Sequence, residues 1–202
     1  MAAPTDAGAP LPNDTAAPLH FIDAAAWQAW LETHHADSAG VWLRLAKRGA
    51  AQPSITHAEA LELALCFGWI DALSRSEGPQ HWLKRFTPRA PRSLWSKVNR
   101  EKALGLVAQG RMRPRGLTEM QRAQADGRWE AAYDPASKST VPADLALAFD
   151  ANPAAKAFFA ALDAKNRYAV LFRLQTAKRA ETRARRLETF VAMLARGERL
   201  HP

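Results

Sequence analysis

The sequence predicts an α+β fold that is predominantly helical: a small antiparallel β-sheet packed with helices, followed by a C-terminal helical module. Three observations carry this expectation. Period-two alternation is confined to three short runs, all before residue 87. Beyond about residue 143 every apolar pattern is helical. Between the two regimes lies YDPASKSTVP, 133–142, which reads as a linker. The expected organisation is a disordered segment 1–18, a core domain 19–132, the linker 133–142 and a helical module 143–202.

The elements follow in order. Asp23 can cap a helix to about His35, with Trp27, Trp30, Leu31 and His34 on one face. In VWLRLAK, Val41, Leu43 and Leu45 alternate with Trp42, Arg44 and Ala46, a strand pattern. Thr56 and Glu59 have capping-box spacing ahead of ALELALCF, apolar on nearly all sides and so central. Gly68 fits the residue that ends that helix. Two strands, about 69–76 and 81–86, join at Gly78-Pro79. Ser93 or Ser96 caps a helix to about Gln109, with Val98, Leu104, Val107 and Ala108 expected on its inner side. Thr118 and Gln121 suggest a further capping box before a helix to about Ala125. Helices near 143–150, 154–162, 165–177 and 181–196 complete the chain.

Charge is unevenly spread. Residues 1–80 carry a net of −5 and residues 81–202 a net of +13, within an overall +8 over 202 residues. A basic half suits an anionic partner. The densest stretch is KRFTPRAPRSLWSKVNR, 84–100, with six Lys or Arg and no acid. Pro88 and Pro91 hold it extended. Arg85, Arg89 and Arg92 then approach the start of a helix, where unpaired amides and the helix dipole favour an anion. Guanidinium groups add bidentate donors, and Trp95, Ser96, Asn99 and Arg100 complete a candidate oxyanion site. The competing expectation is that these arginines pair with Glu59, Glu62, Asp71 or Glu77 as structural ties.

Asp71 is a weak candidate for a general base, with ion pairing favoured over proton transfer. Cys66 reads as a buried thiol, and a single cysteine excludes an internal disulfide. The histidine and cysteine spacings predict no metal, and no cofactor fingerprint is present. The tryptophans read by default as core, with Trp82 and Trp95 flanking the basic patch. Arg179, Arg183 and Arg186 share a helix face and could meet a nucleic-acid backbone, although an exposed face is favoured.

Three stretches, ALCFGWIDA, RFTPRAPRSLWSKVNREKA and AKRAETRARRLETFVAMLARG, together resemble the bacterial family named for bacteriocin protection, YdeI or OmpD-associated (OmdA-like), from about Phe21 to Gly197. Ala72 and Leu94 depart from the family pattern, and neither removes a charged group. The resemblance implies protection against bacteriocins or antimicrobial peptides, a link to stress tolerance and an association with a porin. It carries no catalytic residue over to this chain. The first eighteen residues lack a basic start and an apolar run, so the expected location is cytoplasmic. The expected function is non-catalytic binding of a small anionic ligand. The alternatives are nucleic-acid binding through the basic half, and an enzyme acting on a phosphorylated or carboxylated small molecule. No transmembrane segment is expected; the oligomeric state stays open.

Overall fold

The computed structural model describes residues 17–202, and the expected disorder of residues 1–16 lies outside them. Among the described residues are eight α-helices and one three-stranded antiparallel sheet, an α+β fold that is mostly helical. The chain divides into two compact units. The first holds the described residues to Ser93 and Glu101–Asp126; the second holds Leu94–Arg100 and Gly127–Pro202.

In the first unit, α1 (Ala24–His34) starts where the Asp23 carboxylate accepts the Ala26 amide, and it buries Trp27 and Leu31. Strands β1 (Val41–Ala46), β2 (Trp69–Glu77) and β3 (His81–Pro88) form a sheet of order β1-β3-β2. Helix α2 (His57–Cys66) opens with the full capping box between Thr56 and Glu59, and six of its ten residues are buried. Trp27 ties α1 to α2 by donating from Nε1 to the Ala60 carbonyl, and its ring lies 5.8 Å from that of Phe86 on β3. Trp69 donates to the His35 carbonyl. Two indole donors thus find acceptors inside an apolar core, as their burial requires.

Gly68 stops α2 at φ 73°, in the left-handed region where a Cβ is penalised. This lets the chain turn directly into β2. Helix α4 (Pro114–Ala125) then seats on the end of α2. The contact is so close that a Cβ built on Gly116 would lie 2.3 Å from the Cys66 carbonyl oxygen.

Two helix expectations are corrected. Along α3 (Lys97–Ala108) the buried residues are Ala103 and Leu106, whereas Val98, Leu104, Val107 and Ala108 are exposed. With alanine at 103 and 108, bulk alone misassigned the inner face. Helix α4 begins at Pro114, four residues before the expected Thr118 cap. Proline suits the first helical position, and the Thr118 hydroxyl donates back to the Pro114 carbonyl from inside the helix.

The second unit contains α5 (Ala143–Asp150), α6 (Pro153–Ala161), α7 (Ala164–Gln175) and α8 (Ala180–Ala195). Leu145, Phe149, Phe159, Val170, Leu174, Phe190 and Leu194 form its core. Asn152 and Asp163 cap α6 and α7 through their side chains. The fully buried Asn166 amide accepts from the His201 N–H at 2.9 Å and donates to the His201 carbonyl at 3.2 Å. The C-terminal residues are therefore clamped onto α7. Among the described residues no helix is long and apolar enough to cross a membrane.

Candidate functional site

The residues of the expected oxyanion patch fall in both units and are taken one unit at a time. In the first, Arg85 lies on β3 opposite Trp42, 2% exposed, with its guanidinium 5.9 Å from that indole. Arg89 is 4% exposed and its amide donates to the Gly68 carbonyl, fixing the chain as it leaves the sheet. Arg92 is exposed, in a turn closed by reciprocal bonds between Ala90 and Ser93. In the second unit, Trp95 is buried against Trp129 at 4.9 Å. The Ser96 hydroxyl accepts the Asn99 amide, and Ser96 is buried, so it serves α3 as a cap. The Lys97 amide is bound by the Tyr133 carbonyl, and Arg100 donates to the Trp129 carbonyl at 3.1 Å.

The acids named as possible partners of those arginines have contacts of their own. Glu77 receives a two-pronged contact from Arg44 at 2.6 and 2.8 Å. Glu62 meets Lys102 and Arg111, while Glu59 closes its capping box.

Asp71 meets His57 and Lys84. Its Oδ2 lies 3.1 Å from His57 Nε2 and 2.9 Å from Lys84 Nζ. Lys84 Nζ also donates to the Ala72 carbonyl and the Ser74 hydroxyl, both at 3.2 Å. The sheet register shifts between Asp71 and Ser74, and Leu73 within the shift is exposed. Burial would push the Asp71 carboxyl up, but the hydrogen bonds and charges of His57 and Lys84 outweigh it and hold it down at about 2. A carboxyl so acidic is a poor base near neutrality. Sequence reading missed this cluster because its members come from a helix start and two strands, joined only by sheet register.

The stability consequence has a definite sign. The folded pKa lies below the ordinary 3.8, so the contribution is present above about pH 4 and lost as pH falls toward 2. Its size is about 2 kcal/mol. Asp71→Asn therefore lowers urea-unfolding stability by about 2 kcal/mol at pH 7, and the difference from the parent closes near pH 2. A difference that persists at pH 2 would remove the ion-pair account.

Cys66 is buried, and burial pushes its thiol up, away from nucleophile chemistry. In the second unit Arg183 grips Asp144 through Nε and Nη2 at 2.7 and 2.9 Å, and donates to the Leu174 carbonyl. Arg186 donates to the Arg173 carbonyl. Two members of the expected nucleic-acid face thus bind their own module; Arg179 sits exposed at the N-cap of α8.

A concave site does form along α7. The stretch 133–142 is strapped onto it. Tyr168 donates to the Asp134 carbonyl at 2.9 Å, Gln175 exchanges two hydrogen bonds with Asp134, and Tyr133 packs edge-on against Phe172. Lys97, 2.7 Å away, and then Gln175 hold the Asp134 carboxyl below its usual range. Burial pushes the Tyr168 phenol up, with Tyr133 and Asp134 adding to it, so it remains a donor.

Beneath this strap lies a hollow of about 320 Å³ lined by Val141, Phe159, Leu171, Ser139, Arg167 and Tyr168, together with Ala136 and Ala164. A second hollow of about 150 Å³ shares Ser139 and Leu171 with it and reaches Gln175 and Arg183. The larger one joins an apolar wall to an exposed guanidinium, and no acid lines it. Among the described residues no group of three or more His, Cys, Asp or Glu is placed to hold a metal ion.

Comparison with known proteins matches residues 19–119 to the model of a domain of unknown function, DUF8412, and residues 138–197 to that of the family described as Bacteriocin-protection, YdeI or OmpD-Associated. No curated protein and no solved structure matches. Of the three stretches that carried the resemblance, AKRAETRARRLETFVAMLARG lies inside the second match and the other two lie inside the first. The chain belongs, through half its length, to the DUF8412 family, and its C-terminal module is of the bacteriocin-protection, YdeI or OmpD-associated family.

Proposed function

We propose that this protein is a non-catalytic binding protein whose C-terminal module takes a small amphipathic anion in the hollow beneath the 133–142 strap. One observation carries the reading: an apolar wall of Val141, Phe159 and Leu171 stands beside an exposed Arg167 in a cleft of ligand size. The wall would take an aliphatic or aromatic body. Arg167, with the Ser139 hydroxyl, would take its carboxylate or phosphate head. The acid within the strap is already met, since Lys97 and Gln175 hold Asp134. Of the expected patch, Arg92 presents an exposed guanidinium and is a second place for an anion.

The description of the matched family names bacteriocin protection. A chain of net +8 repels a cationic peptide rather than sequestering it. We therefore place any tolerance of bacteriocins, antimicrobial peptides or other stress downstream of ligand binding.

The test is an NMR titration with octanoate against octanol. Octanoate shifts the amides of Ser139, Val141, Arg167 and Leu171, and octanol does so far more weakly. Arg167→Gln weakens octanoate about tenfold, the usual size for a lost charged hydrogen bond. Identical responses to acid and alcohol, or no response at millimolar octanoate, would retire the reading.

A further inference from the structure

We infer that the first unit carries a separate oxyanion-binding site, in the hollow at the end of α2. This hollow, about 220 Å³, is lined by Arg111, Arg113, Gln28, Phe67, Leu63 and Cys66, with Gly110. Its construction is specific. The Arg113 amide donates to the Cys66 carbonyl at 3.1 Å and pins the segment between α3 and α4 onto α2. Arg113 then extends over the Phe67 ring, 5.7 Å from its centroid. Arg111 and Arg113 remain almost half exposed, at 42% and 47%. Both guanidinium groups act on the Cys66 thiol at the floor of the hollow.

Two opposing effects must be weighed. The negative end of the α2 dipole disfavours an anion here. Its last carbonyls, however, are already occupied: Leu63 and Ala64 by the Phe67 amide, Leu65 by that of Gly68 and Cys66 by that of Arg113. The positive end of α4 begins beside them and has no side-chain cap. The second opponent is local acid. Glu32 accepts from Arg113 at 2.7 Å and from Gln28 at 3.0 Å, and Glu62 lies 3.6 Å from Arg111. Arg113 meets Glu32 through Nη2, and Arg111 meets Glu62 through Nη1, which also donates to Gln109 at 3.2 Å; a guanidinium carries five N–H donors, so these contacts do not exhaust either fork. Lys102 shares Glu62 and tips the cluster to net positive.

The ligand chemistry follows from this layout. Two planar forks, that of Arg113 lying over a ring, suit a compact group with two or three oxygens, a phosphate or a carboxylate. A flat or short apolar remainder would rest on Phe67 and Leu63. Glu32 and Glu62 act as internal competitors that hold the forks until such a group arrives.

The site is tested on the full chain with inorganic phosphate, against sodium chloride at matched ionic strength. Phosphate shifts the amides of Phe67, Gly110, Arg111 and Arg113 saturably, and chloride does not. Glu32→Gln removes a competitor and tightens phosphate several-fold, while Arg113→Gln weakens it about tenfold. Shifts that chloride reproduces, or an affinity indifferent to Glu32→Gln, overturn the inference. The hollow under the strap reports through different amides, so failure at one site is distinguishable from failure at the other.

Discussion

Alanine at Gly116 lowers the stability of the first unit by about 3 kcal/mol, at or above the upper end for inserting one carbon into a packed contact. The new Cβ would stand 2.3 Å from the Cys66 carbonyl oxygen, 2.9 Å from its carbon and 2.8 Å from Met112 Cε. The methionine end can swing away. The carbonyl cannot, because it is backbone at the end of a buried helix and already accepts the Arg113 amide. Either α4 slides off α2 or α2 itself moves. For a chain of this length the thermal midpoint should fall by about 6–12 °C. Gly105→Ala supplies the contrast. Its Cβ would meet nothing nearer than the Gln109 amide at 3.9 Å, and the helix gains about 0.5–1 kcal/mol in propensity. Comparable midpoints for the two variants would show that α4 does not seat on α2 as described.

The second large effect is expected at Asn166. Leucine has a similar volume but can neither accept the His201 N–H nor donate to its carbonyl, and it abandons a contact with the Asp163 cap. The loss should be about 2–4 kcal/mol, since two backbone groups and a cap partner are left to find water. It should also be local in character. Exchange protection of the His201 amide vanishes first, while β1–β3 amides keep theirs. Retained protection at His201 would mean that the tail is held by something other than this amide.

Much of the fold was legible because its signals are local. Capping residues Asp23 and Thr56, the alternation in VWLRLA and the stop at Gly68 are each decided within a few residues. The four C-terminal helices were legible through their regular apolar spacing, to which the structure adds Asn152 and Asp163 as caps. The face of α3 was not. Ala103 is chosen for burial by what packs on it, and nothing in its own hydrophobicity announces that.

The candidate sites were less legible still. A dense run of arginines in sequence says little about accessibility, and Arg85 and Arg89 illustrate this by being buried. Conversely, Arg111 and Arg113 line one hollow because Arg113 is stitched to a carbonyl 47 positions earlier in the chain. The 133–142 stretch reads as a spacer from its prolines and serines. Its ordering comes from Tyr168 and Gln175, two side chains that only a folded α7 presents.

The irregularity at Asp71–Ser74 bears on how the protein behaves when crowded. β2 ends the strand order, and an uninterrupted ladder there would invite a strand from a neighbour to zip on. The slip of register breaks that template in the middle, and the ammonium of Lys84 occupies the Ala72 carbonyl there. At the opposite border, Leu19 bonds to both Trp42 and Arg44 and already fills part of the open rim of β1. Runaway stacking of sheets is thereby blunted on both flanks, by a kink on one and by the chain's own leading segment on the other.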